Sequence, residues 1–122
     1  TIANISKNSL HYYDKKEYDL ICYCIMPNHI HLVFSLLNNS RDVSEIMHSL
    51  KRFSARESNK ILNKKGKFWQ DESFDRLIRN QKEFENTVNY VIQNPVKAGF
   101  VKHWNDWAWT YCCPELLYHT GF

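Results

Sequence analysis

His29 and His31 stand two apart on an alternating apolar run, and Tyr90 and Asn94 stand four apart much later in the chain. Residues two apart on a strand project to one side of a sheet, and residues four apart on a helix project to one side of that helix. Imidazole nitrogen and carboxamide oxygen are donor types that hold borderline divalent ions. A tyrosine beside such an ion is a candidate nucleophile. Its phenol, with a pKa of about 10 in water, needs help to lose its proton. A cation gives part of that help and also draws electrons from a phosphate. If a helix bearing Tyr90 packs over a strand bearing the histidines, the four side chains suit phosphodiester cleavage.

The histidines need a strand to align them. Tyr18 to Met26 is rich in β-branched, aromatic and cysteine residues and reads as a first strand, with a second from His29 to Leu37. The short Pro27-Asn28 connection predicts an antiparallel hairpin. On the second strand Ile30, Leu32, Phe34 and Leu36 share one face, and His29, His31, Val33 and Ser35 share the other. Two imidazoles alone are not a site, and an isolated His-x-His is also compatible with ordinary surface residues. A rival set, Cys22, Cys24, His29 and His31, would suit zinc by ligand type. Its spacing matches no common structural zinc pattern, however, and both thiols suit a core equally well.

The tyrosine needs a helix. Asn80 with Glu83 three residues on is a capping signal for a helix over Gln81 to Gln93. Pro95 disfavours helical geometry at Asn94, so the helix is expected to end or bend there. Phe84, Val88, Val91 and Ile92 form a buried stripe at helical spacing. Tyr90 lies nearly opposite that stripe, on a polar side shared with Glu83, Thr87 and, if the helix runs one residue further, Asn94. A core tyrosine belongs among the apolar residues, so Tyr90 is either a surface aromatic or a functional one.

The remaining elements follow from the same patterns. Ile2, Ile5, Leu10 and Tyr13 mark a helix over residues 2–13, and Asp14 to Glu17 a turn. Asp42 with Glu45 caps a helix over Val43 to Leu62, with Val43, Ile46, Met47, Leu50 and Phe53 as its buried stripe. Lys64 to Lys67 is a basic turn. Phe68 to Ile78 reads as one bent strand or two short ones. The tail after Gly99 holds Trp104, Trp107, Trp109 and Tyr111, so 100–122 is expected to form an aromatic, irregular cover. The order helix, strand, strand, helix, strand, helix is an α+β layout around an antiparallel sheet.

Bulk properties bound the reading. A length of 122 residues is right for one domain with one core, and 43% hydrophobic and 15% aromatic content indicate a globular chain. A formal charge of +3 permits a nucleic-acid partner without demanding one. No apolar run is long enough for a membrane span. The four cysteines form two tight pairs, Cys22/Cys24 and Cys112/Cys113, which resemble no disulfide framework and fit reduced thiols in a cytosol. The chain opens on Thr1 inside an expected helix, so native residues are expected ahead of it.

His48, Arg52, Arg56 and Lys60 repeat every four residues along the second helix. Lys51 adjoins them, and Lys64, Lys65 and Lys67 follow. Such a stripe is usually a solvated face; beside a DNA-cleaving site it is a candidate phosphate track that supplies affinity and register. The tail tryptophans suit either core packing or stacking on unpaired bases.

The run Cys24-Ile25-Met26-Pro27-Asn28-His29-Ile30-His31-Leu32-Val33 resembles the signature strand of the HUH single-tyrosine transposases, and within them the REP-associated tyrosine transposases of the IS200-like superfamily. The likeness continues through Ser49-Leu50-Lys51-Arg52-Phe53-Ser54, then Phe68-Trp69-Gln70 and Phe74-Asp75-Arg76. It ends in Tyr90-Val91-Ile92-Gln93-Asn94-Pro95-Val96-Lys97-Ala98-Gly99. Each piece is weak alone; the combination is specific and covers most of the chain.

The resemblance implies a ferredoxin-like antiparallel sheet with flanking helices, here without the family's first strand. The domain would therefore be truncated at its N-terminus relative to the family. It implies His29 and His31 as metal ligands, Asn94 as the polar ligand one turn after the tyrosine, Tyr90 as nucleophile, and Mg²⁺ or Mn²⁺ as cofactor. The implied reaction cleaves and rejoins single-stranded or hairpin DNA through a 5′-phosphotyrosine link, without ATP, in the cytoplasm on the bacterial nucleoid. Monomers and homodimers are both compatible with the family. The alternatives are a DNA-binding regulator that keeps the fold without turnover, and a hydrolase in which water attacks and Tyr90 only orients.

Overall fold

The computed structural model describes residues 2–27, 29–37, 42–62 and 77–116. Its elements in chain order are α1 (Ile2–Tyr12), β1 (Tyr18–Ile25), β2 (Ile30–Leu36), α2 (Val43–Leu62), α3 (Gln81–Ile92), the one-turn α4 (Asn94–Lys97), a 3-10 turn at Trp104–Asp106, and β3 (Thr110–Cys112). The architecture is α+β, with a three-stranded antiparallel sheet in the order β2-β1-β3. No helix among the described residues is long and apolar enough to cross a membrane. The strands expected within Phe68 to Ile78 lie outside the described residues, except Leu77 and Ile78, which belong to no regular element.

The residues gather into two compact units. The first is drawn from Thr1–Asp19 and Leu36–Asp75 and is built on α1 and α2. Asp42 accepts the Glu45 backbone N–H at 2.9 Å and starts α2 where the capping pattern places it. The buried stripe of α2 differs from expectation. It is Ile46, Leu50, Ser54 and Ser58, whereas Val43, Met47 and Phe53 are only half-buried. Ser6 and Ser9 of α1 are buried as well. Serine can fill such positions because its hydroxyl bonds the carbonyl one turn back. Ser54 donates to Leu50 O and Ser9 to Ile5 O, each at 2.8 Å. Tyr18 closes this unit, its buried hydroxyl donating to Leu10 O at 2.7 Å.

The second unit is drawn from Leu20–Ser35 and Arg76–Phe122. Its core joins Cys22, Cys24 and Met26 to Val33 of β2, Cys112 of β3, and Val88, Val91 and Ile92 of α3. The apolar stripe of α3 therefore lies over the sheet as its spacing requires, with Phe84 packed beside it. All four cysteines are free, and burial pushes the Cys22 and Cys24 thiols up, so both act as small hydrophobes.

Part of the tail is a strand rather than an irregular cover. β3 pairs antiparallel with β1 in the register Cys22↔Cys112, Tyr23↔Tyr111 and Cys24↔Thr110. Tyr23 stacks on Tyr111 with centroids 5.5 Å apart. Trp107 locks the approach to this strand by donating its indole N–H to Ile25 O at 3.0 Å.

Candidate active site

The second unit carries all four residues singled out for chemistry. β2 turns alternate side chains to one face, and Val33 on that face is buried in the core shared with α3. His31, two residues before Val33, projects the same way. α3 starts at Asn80, whose side chain accepts the Glu83 N–H at 2.8 Å. With its start capped and its stripe seated on the sheet, the rotation of α3 is fixed, and the opposite edge carries Tyr90.

The end of α3 decides where Asn94 falls. Pro95 has no N–H, so the helical ladder cannot run through it unbroken. The break comes one residue earlier than expected: α3 stops at Ile92, Gln93 caps it, and Asn94 opens α4 with the proline in its first turn. A glycine then closes the turn. Gly99 takes φ +81°, Phe100 N–H donates to Pro95 O, and Gly99 N–H donates to Val96 O, both at 3.0 Å. These paired bonds form a Schellman closure, in which a left-handed glycine satisfies the last carbonyls. The single turn is thus held at both ends.

His29 and His31 meet edge-to-face with centroids 4.7 Å apart. Tyr90 sets its ring edge-on to His31 at 5.5 Å. The Asn94 amide lies 3.3 Å from His31 Nε2. His31 is therefore the hub of the cluster. Tyr90 is 53% exposed, open enough for a macromolecular substrate to reach. Burial, and secondarily the neighbouring His29, holds the His31 ring below its ordinary pKa and so in the neutral, ligand-competent form.

The donor set fits a divalent ion in part. Adjacent ligands on an ion with bonds of about 2.1 Å lie about 3.0 Å apart, near the 3.3 Å between His31 Nε2 and the Asn94 amide. Turning the amide would present its oxygen. Among the described residues no group of three or more His, Cys, Asp or Glu side chains is placed to hold a metal.

Lys97 completes the cluster, and the sequence reading gave it no role. Its ammonium lies 5.9 Å from the centroid of the Tyr90 ring. Its place seven residues after Tyr90, two helical turns on and so on the same side, was visible in the sequence. The basic residues of α2 belong to the first unit. Arg52, Arg56 and Lys60 are exposed and Lys51 is half-buried, while Lys64, Lys65 and Lys67 lie outside the described residues. Glu57 takes up part of that charge, 3.3 Å from Lys60 and 3.9 Å from Arg56.

Comparison with known proteins places the chain. The model of the IS200-like transposase family matches residues 3–94. The chain belongs to that family. Among curated IS200-like relatives, a REP-associated tyrosine transposase of Escherichia coli is 26% identical, over 78% of this chain and 54% of its own length. A Haemophilus influenzae protein provisionally assigned as a REP-associated tyrosine transposase is 28% identical, over 76% of this chain and 58% of its own. This chain thus spans somewhat more than half the length of these relatives. A solved REP-associated tyrosine transposase bound to a REP hairpin shares the fold with a TM-score of 0.74 at 22% identity, covering 87% of this chain and 62% of that one.

Proposed function

We propose that this transposase domain cleaves and rejoins single-stranded DNA through Tyr90, with hairpin DNA as the substrate class. The observation that carries the reading is the convergence of Tyr90 and Asn94, from two helical segments, on a neutral imidazole of the strand beneath. A solvated helix face has no reason to converge in this way. Membership of a transposase family and the hairpin bound by the structural relative support the substrate class.

The chain's residues divide the work. Tyr90 Oη attacks the scissile phosphorus, a new P–O bond to tyrosine forms, and the P–O3′ bond breaks. Tyr90 gives up its phenolic proton to solvent as it attacks, and the departing 3′ oxygen takes one up and leaves as a hydroxyl, so no net proton is consumed. Rejoining runs the same exchange backward with a 3′-hydroxyl as nucleophile. The bond energy is conserved in the phosphotyrosine, so no nucleotide cofactor is consumed. His29, His31 and the Asn94 carboxamide would hold Mg²⁺ or Mn²⁺, which when bound supplies Lewis acidity on the phosphate. The exposed Arg52, Arg56 and Lys60, with Lys51 and the lysines 64, 65 and 67, are assigned to backbone phosphates.

The test is incubation with labelled hairpin DNA and Mn²⁺ or Mg²⁺ followed by denaturing electrophoresis. A covalent protein–DNA band is expected from the wild-type chain and none from Tyr90→Phe. Cleavage without a covalent band would replace this reading with hydrolysis by water. Binding without cleavage would replace it with a regulator.

A further inference from the structure

We propose that Lys97 is a second cationic contact for the DNA strand at the reacting position, binding the phosphate backbone beside Tyr90. This deepens the strand-transfer reading and rests on it.

Three observations meet at this residue. The Lys97 ammonium is 5.9 Å from the Tyr90 ring centroid, at the outer edge of the range in which a ring quadrupole attracts a cation appreciably. The ring therefore does not consume the charge. Lys97 is exposed, and among the described residues no carboxylate pairs with it. Two cations of α2 differ in this respect, since Arg56 and Lys60 both lean on Glu57. Finally, Lys97 is not on a loose loop. It ends a single helical turn begun by Asn94 and closed by Gly99 in the left-handed conformation. One rigid turn thus carries the residue 3.3 Å from His31 at its start and the cation beside Tyr90 at its end.

A polyanion entering over Tyr90 meets this charge on a backbone already ordered, so that only the lysine side chain has freedom left to lose. Phosphate is the matching chemistry for an unpaired ammonium on an open surface beside a candidate phosphoryl-transfer nucleophile. Lysine acts there as a point charge, so the contact gives placement and affinity without base preference.

The experiment measures binding of a labelled hairpin oligonucleotide with single-stranded flanks, across salt from about 50 to 200 mM. A Tyr90→Phe background prevents cleavage and keeps the ring that faces Lys97. One phosphate contact to a single strand contributes about 0.7 to the slope of log K against log salt. Lys97→Gln is expected to flatten the slope by that amount, and Lys97→Arg to restore it. A scan replacing one phosphate at a time by neutral methylphosphonate supplies a second reading. At one position the replacement should weaken the lysine protein several-fold and leave Lys97→Gln unchanged. An unaltered slope, or additive losses at every position, overturns the Lys97 contact alone. Absence of hairpin binding overturns both this contact and the DNA-processing reading. Normal binding with no covalent band from the Tyr90 protein overturns strand transfer only.

Discussion

The two longest helices of the second and first units, α3 and α2, are built on the same plan and use their polar faces differently. Each is started by an Asx cap and each buries one stripe. On α3 the stripe is hydrocarbon, and the polar edge reaches beyond its own helix: Tyr90 meets a histidine of β2. On α2 the stripe fades from Ile46 and Leu50 into two serines. Among the described residues its charged face pairs with itself, through Glu57 to Arg56 and Lys60. A polar residue that makes a specific contact with another element is a better candidate for chemistry than one that pairs one turn along its own helix. Exposed pairs of the second kind contribute about 1 kcal/mol or less.

The sharpest way to break this contrast is to remove one residue of the cluster that Tyr90 joins and one cation from the charged face of α2. His31→Ala or Asn94→Ala should cut the rate of covalent adduct formation at saturating DNA by about 100-fold or more. A loss of several kcal/mol of charge stabilisation costs a factor of ten for each 1.4 kcal/mol. Arg52→Gln should leave that rate within a few-fold while weakening DNA binding. Single-turnover kinetics at saturating DNA decide the matter. Equal losses in the two rates would mean that α2 takes part in the chemistry.

A smaller effect comes from proton competition at His31. Its folded pKa is held below the ordinary 6.5, chiefly by burial and then by His29. The stabilisation tied to the neutral ring is thus fully present above pH 6.5 and is lost as pH falls through the depressed value. Mn²⁺ affinity should follow the same course, falling as pH drops below 6.5 toward the depressed value and approaching about tenfold per unit once the ring titrates. Calorimetric Mn²⁺ titration is the cleaner measurement. His11 in the first unit is depressed in the same direction, so the pH dependence of overall stability mixes the two. Affinity that does not fall while the His31 ring becomes protonated, followed by NMR, would remove His31 from the ligand set.

How much of this was written in the sequence depends on the scale of the feature. The starts of α2 and α3 were legible because Asp42 and Asn80 each satisfy a backbone donor three residues on, a strictly local interaction. The stripe of α3 was legible because hydrocarbon at helical spacing has one economical use. Tyr90 was legible by exclusion from that stripe. The three residues of β3 were not, since Thr110 to Cys112 is too short a run to show alternation and its pairing with β1 is long-range. Lys97 was passed over although its spacing was legible, since seven residues after Tyr90 is two helical turns on, the same side of the helix.

The serines of α2 were hidden because a hydroxyl reads as polar until its partner is known, and the two serines test that account against each other. Ser54 donates to Leu50 O at 2.8 Å, so its burial is compensated. Ser58 is fully buried, and among the described residues its hydroxyl has no hydrogen-bond partner. An unsatisfied buried hydroxyl costs about 1–3 kcal/mol, and alanine is also the better helix former by about 0.5 kcal/mol. Ser58→Ala should therefore stabilise the protein by about 1 kcal/mol, while Ser54→Ala should be neutral or mildly destabilising. Urea unfolding of the two variants gives the comparison directly. Destabilisation by Ser58→Ala would mean that its hydroxyl is bonded, and that the stripe of α2 is held by hydroxyl contacts along its whole length.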